Sequence, residues 1–262
     1  MAVMQVSDLG VRLSGREILK GVTLPTLQGG QVVGLVGPNA SGKSTLLRTL
    51  ALGRAFSGEI ALDGAPVLSL SRRDRAQRLS LMPQTPPIGS TLTPFELLRS
   101  YARATRLSVS DRDLGQRMAG LLGQLGLLPD AHRRLNELSG GKRQLVGLCL
   151  AMIGEPEYLL LDEPTSALDL RWQLTALSVA RDFARDRGAV CIAALHDINL
   201  ALRFCDVLVV LDQGRLAAAG APEEVMTAEL LARVYGVSAR LERCSQGAPV
   251  LIADAVAQPA PV

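Results

Sequence analysis

No apolar run in this 262-residue chain reaches the roughly 18 residues that a membrane-spanning helix requires, and no signal peptide opens it. The longest apolar stretches, such as Val190-Cys191-Ile192-Ala193-Ala194-Leu195, suit buried strands. Any membrane role is therefore expected to be peripheral, and cytosolic placement is expected. The four cysteines, Cys149, Cys191, Cys205 and Cys244, form no C-x-x-C pair and no zinc spacing. Three of them lie in segments that read as helix or strand, which predicts buried reduced thiols. Lysine is scarce: only Lys20, Lys43 and Lys142 occur, and arginine carries nearly all the positive charge. A net charge of +3 is too small to argue for nucleic acid. What remains is a composition ordinary for a globular protein, in a chain long enough for one large core.

Against that background one stretch stands out, Gly37-Pro38-Asn39-Ala40-Ser41-Gly42-Lys43-Ser44, followed by Thr45. It matches the G-x-x-x-x-G-K-[ST] phosphate-binding loop, and its context is the required one. Residues 31–36 read as a short buried strand and residues 44–50 as a helix. Glycines let successive N–H groups curl into an anion-binding concavity, and the helix adds its free N-terminal donors. Lys43 is expected to reach the β- and γ-phosphates, and Ser44 to bind Mg²⁺. The motif predicts a nucleoside triphosphate site.

Around this loop the pattern is β-hairpin material over residues 2–30, an Asp63-Gly64 turn, and a short arginine-rich helix carrying Arg72, Arg73, Arg75 and Arg78. The latter reads as a solvated face. Thr93-Pro94-Phe95-Glu96 and Ser110-Asp111-Arg112-Asp113 are helix starts, and the period is helical from Thr93 to about Leu128. Strand–helix alternation resumes after residue 155, which argues for a mostly parallel α/β sheet. Residues 255–262 are expected to fray. Asp162-Glu163 ends the apolar strand Tyr158–Leu161, expected beside the strand that carries the phosphate loop. There Asp162 could hold Mg²⁺ and Glu163 could activate water. Ser139 can cap a helix whose first turn is Gly140-Gly141, again offering bare N–H groups.

With Leu138-Ser139-Gly140-Gly141-Lys142-Arg143-Gln144 added to the phosphate loop, the sequence resembles the ATP-binding cassette (ABC) ATPases over nearly its whole length. The resemblance implies a P-loop NTPase α/β core with a mostly parallel sheet, an N-terminal antiparallel β subdomain and a helical subdomain. Residues 1–236 would form the ATPase domain, with the helical subdomain at about 90–155, and 237–262 a short extension. Gly37 to Thr45 would be the Walker A loop, Gln84 the Q-loop glutamine on the metal, Leu159 to Glu163 the Walker B strand. Ser166-Ala167-Leu168-Asp169 would be the D-loop and His196 the switch histidine on the γ-phosphate. ATP and Mg²⁺ follow as ligands. Two cassettes would pair head to tail, with Ser139, Gly140 and Gly141 meeting the partner's ATP, and Asp169 of the D-loop would also bind ATP.

Two positions depart from the family. Leu13 stands where an aromatic residue usually stacks on adenine, which predicts weaker nucleotide affinity, and Lys142 stands where glutamine is usual. Lys142 could hold phosphate of the opposite nucleotide or point to solvent. One motif set and no membrane span imply a separate subunit, peripheral on the cytoplasmic face of the membrane, serving permease subunits and indirectly a substrate-binding protein. Gln84, the loop after it and the Thr93–Leu128 helices would meet the permease. The stretches 71–84, 196–201 and 220–226 resemble importers of iron–siderophore, haem and cobalamin. The alternatives are a nucleotide-gated regulatory subunit with little turnover and a cassette serving another substrate class. No N-K-x-D guanine reader supports a GTPase.

Overall fold

The computed structural model describes residues 1–52, 56–85, 91–105, 107 and 109–257. It opens with β1 (Val3–Leu13), β2 (Arg16–Val22) and a short β3 (Leu27–Gln28). β4 (Val32–Val36) then enters the phosphate loop and α1 (Lys43–Leu52) leaves it. β5 (Phe56–Leu62) and β6 (Ala65–Pro66) flank the Asp63-Gly64 turn, and α2 (Arg72–Arg78) leads to β7 (Leu79–Met82). Three helices follow, α3 (Pro94–Ala104), α4 (Asp111–Gln124) and α5 (Gly140–Met152). Alternation then runs β8 (Tyr158–Asp162), α6 (Leu170–Arg187), β9 (Val190–Ala194), α7 (Ile198–Phe204), β10 (Val207–Asp212) and β11 (Arg215–Gly220). Two short helices, α8 (Pro222–Val225) and α9 (Ala228–Tyr235), precede a hairpin of β12 (Val237–Arg243) and β13 (Pro249–Val256).

Two sheets carry the fold. The antiparallel one runs β2-β1-β5-β6 with β3 on β1, and β1 alternates buried Met4 and Val6 with exposed Gln5 and Ser7. The other runs β11-β10-β4-β9-β8-β7 and is parallel except for β11. Its strands β4, β8 and β9 are buried at every residue, as strands covered on both faces must be. Leu160 and Ile192 pack with Leu46 and Leu50 of α1 and with the antiparallel sheet. Their neighbours Leu159, Leu161 and Ala193 pack on the opposite face with Val146 of α5 and Leu177 of α6. Tyr158 joins the two sheets directly, its buried hydroxyl donating to the Val3 carbonyl at 3.0 Å.

The helix starts lie where their caps put them. Thr93 and Glu96 form a reciprocal capping box, and Ser110, Ser139, Asp169 and Thr227 each accept a backbone N–H three residues on. Each such cap stabilises its helix by about 1 kcal/mol.

Of three expectations, two need correction and one holds. β8 does not adjoin the phosphate-loop strand: β9 lies between β8 and β4, because the crossover through α1 carries the chain to the far side of the sheet. The helical period from Thr93 to Leu128 divides where its two starts put the break: α3 ends at Ala104 and Ser110 caps α4. The C-terminal extension is an ordered hairpin through Val256, held by Leu241 and Leu251 against the core; residues 258–262 lie outside the described residues. Residues 86–90 of the loop after Gln84 also lie outside them.

Candidate active site

The phosphate loop is shaped by its own backbone. Gly37 has φ +146°, and a Cβ there would overlap the carbonyl oxygen of Leu211 at the end of β10. Gly42 has φ +107° with the Leu19 side chain in the way of any Cβ, so both positions need glycine. Lys43 opens α1 and is almost wholly buried, donating through Nζ to the carbonyls of Gly37 at 2.7 Å and Pro38 at 3.0 Å. Burial lowers its pKa, while the charges of Glu163 and Asp162 pull the other way. The ammonium is thus held at the mouth of the loop, beside the unpaired N–H groups that open the helix. A cleft of about 280 Å³ lies there, lined by Ile18, residues 39–45, Glu163 and His196.

Glu163, just past the tip of β8, lines this cleft, and Asp162, the last residue of that strand, lies behind it against Ser44. Asp162 is fully buried, its Oδ1 accepting from Ser44 Oγ at 2.8 Å. Its Oδ2 lies 3.8 Å from Arg48 Nη2 and has no hydrogen-bond partner among the described residues. Burial raises the pKa of Asp162; the Ser44 hydroxyl and the Arg48 charge oppose the rise. Glu163 follows with its side chain largely buried and both oxygens engaged. Oε1 is 2.6 Å from His196 Nε2, and Oε2 accepts from Gln84 Nε2 at 2.8 Å. Lys43, Ser44, Gln84, Asp162, Glu163 and His196, far apart in sequence, therefore form one contiguous polar cluster. Such a cluster can bind phosphate, hold a hard cation on oxygen ligands and take a proton from water.

The family model described as ABC transporter matches residues 19–166. This chain belongs to the ABC transporter family. Among curated relatives, this ABC protein is 40% identical over 263 residues to the hemin import ATP-binding protein HmuV of Pseudomonas aeruginosa, covering 96% of this chain and 100% of the relative. It is 43% identical over 222 residues to the protein of that name from Myxococcus xanthus, covering 81% and 82% of the two chains. A solved ATP-binding subunit of an ABC transporter superposes with a TM-score of 0.76 at 26% identity, covering 85% of this chain and 91% of that one. The cbiO1 subunit of a Clostridium perfringens ABC transporter complex gives 0.73 at 25%, covering 88% and 92%. This ABC protein is an ATP-binding protein with the ABC ATPase fold.

The remaining expected residues of the ABC protein lie elsewhere. Ser139 caps α5 by accepting from Lys142 N at 3.3 Å, with Gly140 and Gly141 forming the first turn. Asp169 caps α6 by accepting from Trp172 N at 3.1 Å. None of these four lines the cleft. Gln84 bonds Glu163, where the resemblance implied the metal. Lys142 points at neither phosphate nor solvent alone: its Nζ lies 2.6 Å from Oδ2 of buried Asp130, which Arg133 also approaches at 3.2 Å. Leu13 is half exposed at the tip of the β1–β2 hairpin, and Ile18 is the apolar residue on the cleft wall. Two contributors were missed from sequence. Arg48 follows Ser44 by one helical turn, a spacing that could have revealed it. Ile18 carried no local signal.

Proposed function

We propose that this ABC ATPase powers a membrane importer for haem or a chemically related iron–siderophore or cobalamin cargo. The observation that carries the reading is the convergence of Lys43, Ser44, Glu163 and His196 on one cleft, with Asp162 bonded to Ser44 behind it, in a chain matching a hemin import protein over 96% of its length. ATP is the substrate. The residues fit Mg²⁺: Ser44 Oγ and Asp162 would hold it, the latter having a buried oxygen free of hydrogen bonds, with Gln84 close by on Glu163. When bound, the ion neutralises charge on the β- and γ-phosphate oxygens. Lys43 binds those phosphates together with the N–H groups of residues 39–45. Glu163 takes the proton of the attacking water on its carboxylate, and His196 orients that carboxylate and contacts the γ-phosphate. A carboxylate with both oxygens oriented favours turnover over the low-turnover regulatory alternative.

In the same reading, two copies pair head to tail. Ser139, Gly140 and Gly141 then meet ATP held by the partner's Gly37–Thr45 loop, and Asp169 contributes to ATP binding. Residues 1–236 act as the ATPase domain, with a helical subdomain at about residues 90–155 inserted between Gln84 and the Walker B strand. The protein sits peripherally on the cytoplasmic face of the inner membrane, consistent with the lack of any helix long and apolar enough to span it among the described residues. The permease docks at Gln84, the loop after it and the Thr93–Leu128 helices. A substrate-binding protein would engage the permease from the other side, and nucleic acid has no part.

The test is a tagged Glu163→Gln protein, loaded with Mg-ATP and recovered from native membranes. Retained ATP binding, turnover reduced by at least about 100-fold and co-recovery of a haem- or siderophore-type permease are expected. Normal turnover would remove Glu163 as the base. Recovery of soluble partners only would overturn the transport reading while leaving the ATPase chemistry intact.

A further inference from the structure

Glu163 stands on a backbone that its surroundings must hold. Its φ is +54°, in the left-handed region that a residue with a Cβ adopts only where neighbours enforce it. Its carbonyl oxygen accepts from Gln144 Nε2 at 2.6 Å, from Ser166 Oγ at 3.2 Å and from Ser166 N at 3.4 Å. The Gln144 Nε2 also lies 3.2 Å from Ser166 Oγ, and Gln144 Oε1 accepts from Ala167 N at 2.9 Å. The partners fix the orientation of this amide, because a carbonyl can only accept and a backbone N–H can only donate. Gln144 is 2% exposed, so water does not compete for these bonds. The side chain projects from the second turn of α5, whose first turn is Gly140-Gly141. One buried amide thus joins the glycine-rich end of α5 to the loop 163–167 that carries the catalytic carboxylate.

We propose that Gln144 is a positioning residue for ATP hydrolysis, holding the Glu163 backbone so that the carboxylate faces the γ-phosphate. A shift of α5 against β8 breaks or drags this bond, so turnover depends on where the glycine-rich end of α5 sits. The inference rests on Glu163 being the general base, and the experiment separates the two.

Gln144→Leu and Gln144→Glu are made alone and combined with Glu163→Gln, and each protein is assayed for ATP turnover and for affinity toward a fluorescent ATP analogue. Gln144→Leu is expected to lower kcat by about 10–100-fold, as misplacement of a catalytic group does, with nucleotide affinity unchanged within about twofold. In the Glu163→Gln background it is expected to change residual turnover by less than about twofold, because the group it positions is already gone. Gln144→Glu keeps the size and the acceptor for Ala167 N but sets an acceptor against the Glu163 carbonyl, so it must show the same pattern even if Gln144→Leu fails to fold. An equal loss in both backgrounds, a parallel loss of nucleotide affinity, or an unchanged kcat each overturns the proposal. Normal turnover by Glu163→Gln alone would instead overturn the general-base reading.

Discussion

Two glycine-containing turns open helices in this chain, and they are glycine for different reasons. At Gly37 and Gly42 the fold itself requires it, through left-handed φ angles and through the Leu211 carbonyl and the Leu19 side chain. At Gly140 nothing among the described residues does: its φ is not left-handed, and an added Cβ would meet none of their atoms within 4 Å. Gly141 is intermediate, with the Ala167 carbonyl oxygen 2.9 Å from such a Cβ. Glycine in a helix is less favourable than alanine by up to about 1 kcal/mol. The first turn is therefore constrained from within. The second retains a locally unfavourable residue at a surface, which is what close approach by another molecule requires. In the head-to-tail reading, that molecule is the partner's nucleotide.

The contrast can be broken by substitution. The largest effect is expected for Gly37→Ala, which must give up either its φ or the contact with β10. Loss of nucleotide binding and destabilisation by about 2–4 kcal/mol are expected in a melting experiment. A normal melt would show that the loop is not constrained from within. Lys43→Ala, in the same loop, should abolish nucleotide binding while melting normally. Gly140→Ala should do the reverse: a melting temperature unchanged or raised by about 2 °C, with ATP-driven dimerisation and turnover impaired. Unimpaired turnover would remove the case for an external partner at that turn.

Smaller effects sharpen the comparison. Asp162→Asn should raise the melting temperature of the nucleotide-free protein at neutral pH by about 2–4 °C, although it damages catalysis. The sign follows from burial, which lifts the folded-state pKa of Asp162 above its unfolded value. An ionised, buried carboxylate then destabilises the fold at neutral pH, and the penalty disappears once pH falls below the ordinary carboxylate range. The advantage of the variant should vanish over the same window, and an advantage that persists in acid would assign it another cause. Lys142→Gln should have the smallest effect, with KM for ATP unchanged within about twofold, because Asp130 of its own chain already engages the ammonium. A larger change would return Lys142 to the nucleotide.

What could be read from the sequence was what local chemistry determines. The strand–loop–helix context of Gly37–Ser44 and the caps at Thr93, Ser110 and Ser139 each depend on residues a few positions apart, and the structure has each of them in place. The order of the sheet was not legible, since the seating of β9 between β4 and β8 is settled by crossovers rather than by any local pattern. The left-handed Glu163 and the Lys142–Asp130 pair escaped for the same reason: Gln144 and Asp130 are 19 and 12 residues away. The hairpin Val237–Val256 was hidden because β13 buries no residue fully, half of it being partly buried and half exposed, and so shows no buried–exposed alternation.

The strand beneath the phosphate loop has a late appointment. β4 is complete by residue 36, yet the strands on either side of it are β9, where Val33 pairs with Ile192, and β10, where Val33 pairs with Val207. Contacts so distant in sequence form slowly and, during synthesis, only after most of the chain has emerged. An entirely apolar strand must wait unpaired through that interval, and ATP can bind only once it has closed. Pulse-labelled hydrogen exchange is expected to find the amides of residues 32–36 protected after those of the β1–β2 hairpin.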